Sequence, residues 1–249
     1  MSRDQSFAVG QHVVLDIELP SGSVLLTAGG SGTVSVSVDG STPDTFDISQ
    51  VGDNIAIRAT RRSRSARLAV DVPVGTDVSV KGASVDVVAR GALGALRVRS
   101  ASGDVRADDV VRADVTLASG DTRLETVRDA ADFRATSGDI TVASVGGRLV
   151  ASLASGDIEI DELGGDGEVE TASGDVTIRR YTGASVAIRT VSGDVRLGLP
   201  TGIRVEPEIS TMSGKVSLPS PTEAAASGER RPVKLRLRTV SGDIRIERA

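Results

Sequence analysis

The motif Ser-Gly-Asp recurs through this chain of 249 residues, and its aspartates are the first residues that could do chemistry. Carboxylates that a repeat brings together could share a hard cation such as Ca²⁺. Glycine and aspartate also suit a tight turn, because glycine adopts positive φ freely and aspartate accepts hydrogen bonds from nearby backbone N–H groups. Lys215 replaces the aspartate in one copy, and each repeat supplies a single aspartate. The motif therefore predicts a structural turn that binds no metal.

Paired carboxylates after the repeats could instead serve a parallel β-helix enzyme that cleaves polysaccharides. Asp108-Asp109 and Asp161-Glu162 are such pairs, but no cluster of three acids converges. Arg179-Arg180 follows Asp161-Glu162 by one repeat, which predicts charge pairing between neighbouring strands. A carbohydrate-active enzyme remains the alternative to a binding protein.

Other catalytic signatures are missing from the sequence. His12 is the one histidine and there is no cysteine, so clusters of histidine or cysteine ligands are excluded. The Ser213-Gly214-Lys215 segment lacks the remaining residues of a phosphate-binding loop. We assign His12 no role and predict no catalytic, cofactor-binding or metal-binding residue, and no cofactor.

The spacing of the motif identifies the element that repeats. Successive motif serines are separated by 17, 18, 18, 18, 19, 21 and 28 residues. This period is typical of a β-solenoid with about 18 residues per coil. The motif serines are Ser102, Ser119, Ser137, Ser155, Ser173, Ser192, Ser213 and Ser241.

Apolar and polar residues alternate on both sides of each motif, which predicts two strands per coil. Ile158 and Ile178 should point inward, whereas Glu159 and Thr177 should point outward. The last copies place Val216 and Leu218, and then Ile244 and Ile246, in the same inward columns. We therefore expect an all-β stack of coils whose shared core is closed by stacking.

The domain boundaries follow from where the repeat is regular. Residues 1–80 are rich in strand patterns without the period, and we expect an irregular β-rich cap. Residues 81–249 should form the repeat, continuous with the cap in one elongated domain. Residues 218–232, LPSPTEAAASGERRP, should form a surface loop. The basic run at 59–67 is typical of a solvated hairpin tip, although it could contact an acidic partner.

The final coil suggests a mode of self-association. An unpaired strand at the end of a stack invites pairing with another chain. The motif copy SGDIRIERA runs to residue 249, so we expect residues 235–246 to be this edge and a possible site of homodimer formation.

Charge and hydropathy limit the partners and the location. A net charge of −5 argues against nucleic-acid binding. There is no run of about 18 apolar residues that could span a membrane, and the first residues lack the pattern of a secretory signal. The sequence therefore predicts a cytoplasmic protein, or an envelope-associated one if a leader has been removed.

The segment LAVDVPVGTDVSV at 68–80, followed by serial SGDV and SGDI coils, resembles a bacterial putative-adhesin family. This family is a domain of unknown function grouped with toastrack-type β-repeats, and the resemblance covers roughly residues 66–249. It implies a non-enzymatic β-repeat protein that acts as a binding or scaffolding module. A protein or a surface polysaccharide is the expected partner. The family contributes no catalytic residues.

Overall fold

The computed structural model describes residues 2–30, 32–40, 46–60, 65–219 and 232–249. Strands make up most of the described chain, and no helix occurs among these residues. The all-β prediction is confirmed. The chain forms two compact units, Met1–Thr126 and Val127–Ala249. Among the described residues, nothing helical has the length and hydropathy that crossing a membrane requires.

The strands of the first unit are β1 (Ser2–Ala8), β2 (Val14–Gly30), β3 (Thr33–Gly40), β4 (Phe46–Val51), β5 (Asn54–Ala59), β6 (Ala66–Pro73), β7 (Asp77–Ser102) and β8 (Val105–Ser119). β9 (Thr122–Ser137) begins in the first unit and ends in the second. The second unit continues with β10 (Ile140–Val145), β11 (Arg148–Ser155), β12 (Ile158–Leu163), β13 (Gly167–Ser173), β14 (Val176–Tyr181), β15 (Ser185–Ser192), β16 (Val195–Leu199), β17 (Val205–Ser213), β18 (Val216–Ser217), β19 (Val233–Ser241) and β20 (Ile244–Arg248).

The first unit combines parallel coils with antiparallel strands. β2 pairs in parallel with β5 and β6 on one side and with β7 on the other. β7 pairs in parallel with β8. β3 pairs antiparallel with β1 and β6, and β4 pairs antiparallel with β5. The chain reverses direction at these strands instead of completing a coil, so the regular period is absent there. β7 contains residues 80 and 81, and the division predicted between them stays a prediction.

The second unit stacks its coils in two parallel series. One series runs β9, β11, β13 and β15, and the other runs β10, β12, β14 and β16. Each coil contributes one strand to each series, which confirms the β-solenoid. Ile158 and Ile178 are buried in the core, whereas Glu159 and Thr177 are partly exposed on the outside. The predicted strand faces are confirmed.

The C-terminal coil does not end the second unit. β19 lies between β15 and β17, and β20 lies between β16 and β18. The prediction that residues 235–246 form an unpaired edge is therefore wrong, and the homodimer predicted there loses the edge it requires. Every coil carries the same alternation and the same turn, so a coil can stack on one that is not its neighbour in sequence. Self-association itself stays untested.

The strands β17 and β18 form the last coil of the described second unit, and their inward residues are incompletely covered. Val216 is 43% exposed and Leu218 is 55% exposed, whereas Leu197 and Ile244 in the same columns are 0% exposed. The prediction of full burial was wrong for Val216 and Leu218 because no described strand stacks on their outer side.

Two predicted surface features lie mainly outside the described residues. Residues 220–231 of the predicted loop at 218–232 lie outside the described residues, as do Arg61, Arg62 and Arg64 of the basic run. Arg58, directly before the run, lies 3.6 Å from Glu18. The loop and the hairpin tip stay predictions.

Candidate functional site

The aspartates of the SGD motif join each coil to the next through hydrogen bonds. The backbone N–H of Asp175 donates to Oδ1 of Asp157 at 2.8 Å, and the N–H of Asp194 donates to Oδ1 of Asp175 at 2.8 Å. In the first unit, the N–H of Asp121 donates to Oδ1 of Asp104 at 3.1 Å. Each carboxylate thereby satisfies a backbone donor of the neighbouring turn. We call these bonds the aspartate ladder.

The glycine of the motif is required by both conformation and space. Gly174 has a φ of +141°, a region that side chains disfavour, and a methyl group there would collide with the carbonyl oxygen of Gly156. The SGD motif is therefore a turn that permits stacking. No group of three or more His, Asp or Glu side chains in the described part of the chain is placed to hold a metal ion. Whether the turns bind calcium stays a prediction.

A charged face is formed by the outward side chains of β12, β14, β16 and β20. Arg179 donates to the carboxylates of Asp161 and Glu159, and Arg180 lies 3.4 Å from Glu162. The hydrogen bond to Asp161, together with the charge of Glu159, raises the pKa of Arg179 above its ordinary value. The predicted pairing of the acidic and arginine pairs across neighbouring strands is confirmed.

A groove with a volume of about 600 Å³, lined by both polar and apolar residues, crosses the charged face at Gly198. Gly198, one of its lining residues, is buried and pairs with Glu247 of β20, and a side chain there would collide with the carbonyl oxygen of Arg179. Small-molecule sites commonly have volumes of about 300–1,000 Å³. The polar side chains of the groove include Asp157, Glu159, Asp175, Thr177, Arg179 and Arg196.

The carboxylates that line the groove are each engaged. Asp157 accepts the N–H of Asp175, and Glu159 accepts a hydrogen bond from Arg179. Asp175 accepts the N–H of Asp194 and lies 3.7 Å from Arg196, and Glu247 lies 3.8 Å from Arg245. Glycoside hydrolysis usually needs a general acid and a second carboxylate that are both available to the substrate. The groove therefore offers hydrogen-bond donors and acceptors, but the pairing of its carboxylates does not suit acid–base catalysis.

Aromatic rings do not contribute to the groove. Phe46, Phe133 and Tyr181 are buried, Phe7 is half-buried, and the chain has no tryptophan. His12 is exposed and lies in the first unit. The sequence-based search for acidic clusters missed the groove, because Glu247 and Arg248 in its lining come from a coil distant in sequence.

The comparisons with known proteins agree with this architecture. The model of the Toastrack DUF4097 family matches residues 12–247. The chain belongs to the Toastrack family. No curated protein matches it. The prediction of a toastrack-type β-repeat from the SGD coils is confirmed.

Solved structures of other bacterial proteins share the Toastrack fold of this chain. A putative adhesin from Parabacteroides distasonis is 12% identical with a TM-score of 0.54, and the match covers 100% of this chain and 97% of that one. A putative adhesin from Bacteroides fragilis is also 12% identical, with a TM-score of 0.52 and the same coverage. At these identities the likeness establishes the fold alone.

Proposed function

We propose that the chain is a non-enzymatic binding module that holds a polyhydroxylated chain, such as a surface polysaccharide, in the groove at Gly198. The observation that carries this proposal is the engagement of the groove carboxylates with arginines and backbone N–H groups. Groups held in this way can exchange hydrogen bonds with a ligand but do not provide a free general acid. The adhesin names of the structural neighbours are consistent with attachment.

The groove presents the groups that sugar hydroxyls need. Arg179 and Arg196 donate, Asp175 and Glu159 accept, and the hydroxyl of Thr177 does both. Neighbouring strands are spaced about 4.8 Å apart. An extended polymer lying across them would therefore contact the polar side chains of one further strand about every 4.8 Å. Without an aromatic ring for stacking, affinity depends on several such rows acting together.

Binding can be measured by affinity electrophoresis in native gels that contain dextran, a neutral polymer, or polygalacturonate, an acidic one. Thr177→Trp fills the groove and should remove the retardation. Ser152→Trp places the same side chain on the outside of β11, in the other series of strands, and should leave it unchanged. Equal retardation of the two variants would exclude the groove as the site.

The same polymers also test whether the chain is an enzyme. We expect no new reducing ends after prolonged incubation, because no acid pair is available. If the natural chain releases reducing ends and the Glu159→Gln variant does not, the proposal of a non-enzymatic function is overturned. Capture of a protein through the groove, with neither polymer retarding the chain, would overturn the ligand class.

Because surface polysaccharides are found at the cell envelope, we also propose an envelope location, which cell fractionation can test.

A further inference from the structure

The strand β17 has backbone groups that no described strand uses. The N–H of Val233 donates to the carbonyl of Arg204 at 2.9 Å, and the N–H of Lys234 donates to Ala184 on the opposite side at 3.0 Å. Successive residues of a strand direct their peptide groups to alternate sides. Glu206 and every second residue after it therefore face β19. The peptide groups that face away from β19 are those of Val205, Pro207, Ile209 and Thr211.

Pro207 fits this assignment. Proline has no N–H, so at a position that faces away from β19 it costs the sheet no hydrogen bond. Three N–H donors remain on the outer side of β17, at Val205, Ile209 and Thr211. A proline protects an edge only at its own position, so most of β17 can still pair with another strand.

Apolar side chains surround this edge. Met212 is 83% exposed, and the equivalent positions on the two preceding coils hold Val240 at 44% and Val191 at 55%. Among the inward side chains of the last coil, Val216 and Leu218 are also exposed and Ile209 is only half-buried. Exposed apolar patches of this kind commonly mark protein–protein contacts.

The charge of β17 indicates what sequence fits beside it. Its outward face carries Glu206 and Glu208, and the outward face of the adjacent β19 carries Lys234, Arg236 and Arg238. Arg236 lies 3.0 Å from Glu208, whereas no described cation forms an ion pair with Glu206. The sequence VKLRLRT of β19 thus shows the complement of β17, with apolar residues inward and basic residues outward. A second copy of β17 would bring glutamates instead of basic residues.

We propose that β17 is a docking edge for an extended segment of a partner protein whose residues alternate between apolar and basic. The segment would add to the sheet as a further strand. Its backbone would pair with the groups of Val205, Ile209 and Thr211 that no described strand uses, its basic side chains would lie near Glu206, and its apolar side chains would cover the inward side chain of Ile209. This edge is separate from the polysaccharide groove, so either proposal can fail alone.

The test uses the full chain and a fluorescein-labelled synthetic peptide TLKLRLKT, with binding followed by fluorescence anisotropy. We expect Glu206→Lys to weaken binding at least tenfold and Glu206→Gln to weaken it less. Glu168→Lys makes the same charge change on the interior strand β13 and should not affect binding. A peptide with glutamates in place of its basic residues should not bind. Circular dichroism checks that each variant is folded.

A second pair of variants tests the backbone contact. Thr211→Pro removes an outward N–H and should abolish binding, whereas Thr211→Val keeps that N–H and should bind as the natural chain does. Equal binding by the natural chain and Glu206→Lys, or failure of the peptide to bind, would overturn the proposal. The natural chain could instead sediment as a dimer that the Thr211→Pro substitution dissociates, without binding the peptide. That result would show that a second copy of the chain occupies the edge.

Discussion

The backbone N–H of Lys215 donates a 2.8 Å hydrogen bond to Oδ1 of Asp243, which comes 28 residues later in the chain. Asp243 in turn donates its own N–H to Asp194. The aspartate ladder of the second unit therefore runs from Asp194 through Asp243 to Lys215, out of chain order. Lys215 is the last step, where no described coil needs an acceptor, and this explains why an aspartate is not required there.

Removing one step of the ladder should destabilise the fold. Asp175→Ala leaves the N–H of Asp194 without its acceptor, and we expect a loss of about 1–2 kcal/mol in the free energy of unfolding. Asp175→Asn retains an oxygen acceptor and should cost less. Lys215→Ala changes the same motif position at the end of the ladder and should cost under about 0.5 kcal/mol. Urea unfolding measures all three, and equal costs would rule out a stabilising ladder.

Because the last coil is incompletely buried, a leucine-to-alanine substitution should lower the free energy of unfolding less there than at the equivalent position of an interior coil. Leu197→Ala removes a side chain that is 0% exposed and should cost about 2–5 kcal/mol. Leu218→Ala removes one that is 55% exposed and should cost under about 1 kcal/mol. Thr177→Ala, on the outward face, should also cost under about 1 kcal/mol. A large cost for Leu218→Ala would mean that another part of the chain covers it.

Tyr181 should make the stability depend on alkaline pH. Its hydroxyl is buried, and burial, followed by the charge of Asp166, raises its pKa well above the ordinary value. In the unfolded chain the phenol ionises near pH 10, whereas the folded chain keeps it protonated to higher pH. The stability of the fold is therefore unaffected by this group below about pH 10 and falls as the pH rises further.

Tyr181→Phe should flatten this alkaline loss and change stability near neutral pH by less than about 1 kcal/mol. Because the chain has one tyrosine and no tryptophan, the ultraviolet absorbance of phenolate follows Tyr181 alone. Phenolate that appears near pH 10 while the chain is still folded would contradict the assigned burial.

The SGD turns should be stable without metal, since their aspartates already accept backbone N–H groups. Thermal unfolding in excess calcium and in chelator should therefore give the same midpoint. A ligand that binds only the folded state raises the midpoint with its concentration. A rise of many degrees in calcium would show that the aspartates share a cation.

Hydrogen exchange can test the order of the coils and the free edge together. The N–H of Ser210 faces β19 and should exchange slowly, whereas that of its neighbour Ile209 faces outward and should exchange fast. The amides of Leu237 and Arg236, in a strand paired on both sides, should both be protected. Slow exchange at Ile209 would mean that β17 is already covered in the free chain.

The sequence alone determined the local features of this protein. The spacing of the SGD motif predicted the coil, and the alternation of apolar residues placed Ile178 inside and Thr177 outside. The pairing of Arg179 with Asp161 followed from counting one period. These features depend on the two-residue repeat of a strand and on turn chemistry, both of which act over a few residues.

Only the tertiary structure decided which coils are neighbours. All coils present the same backbone edges and the same turn, so local sequence does not distinguish a stack in chain order from one in which residues 233–248 lie between two earlier coils. That choice depends on long-range packing, such as the contact of Arg236 with Glu208. The free edge at β17 and the groove beside Glu247 both result from it, because a coil distant in sequence supplies the neighbouring strand.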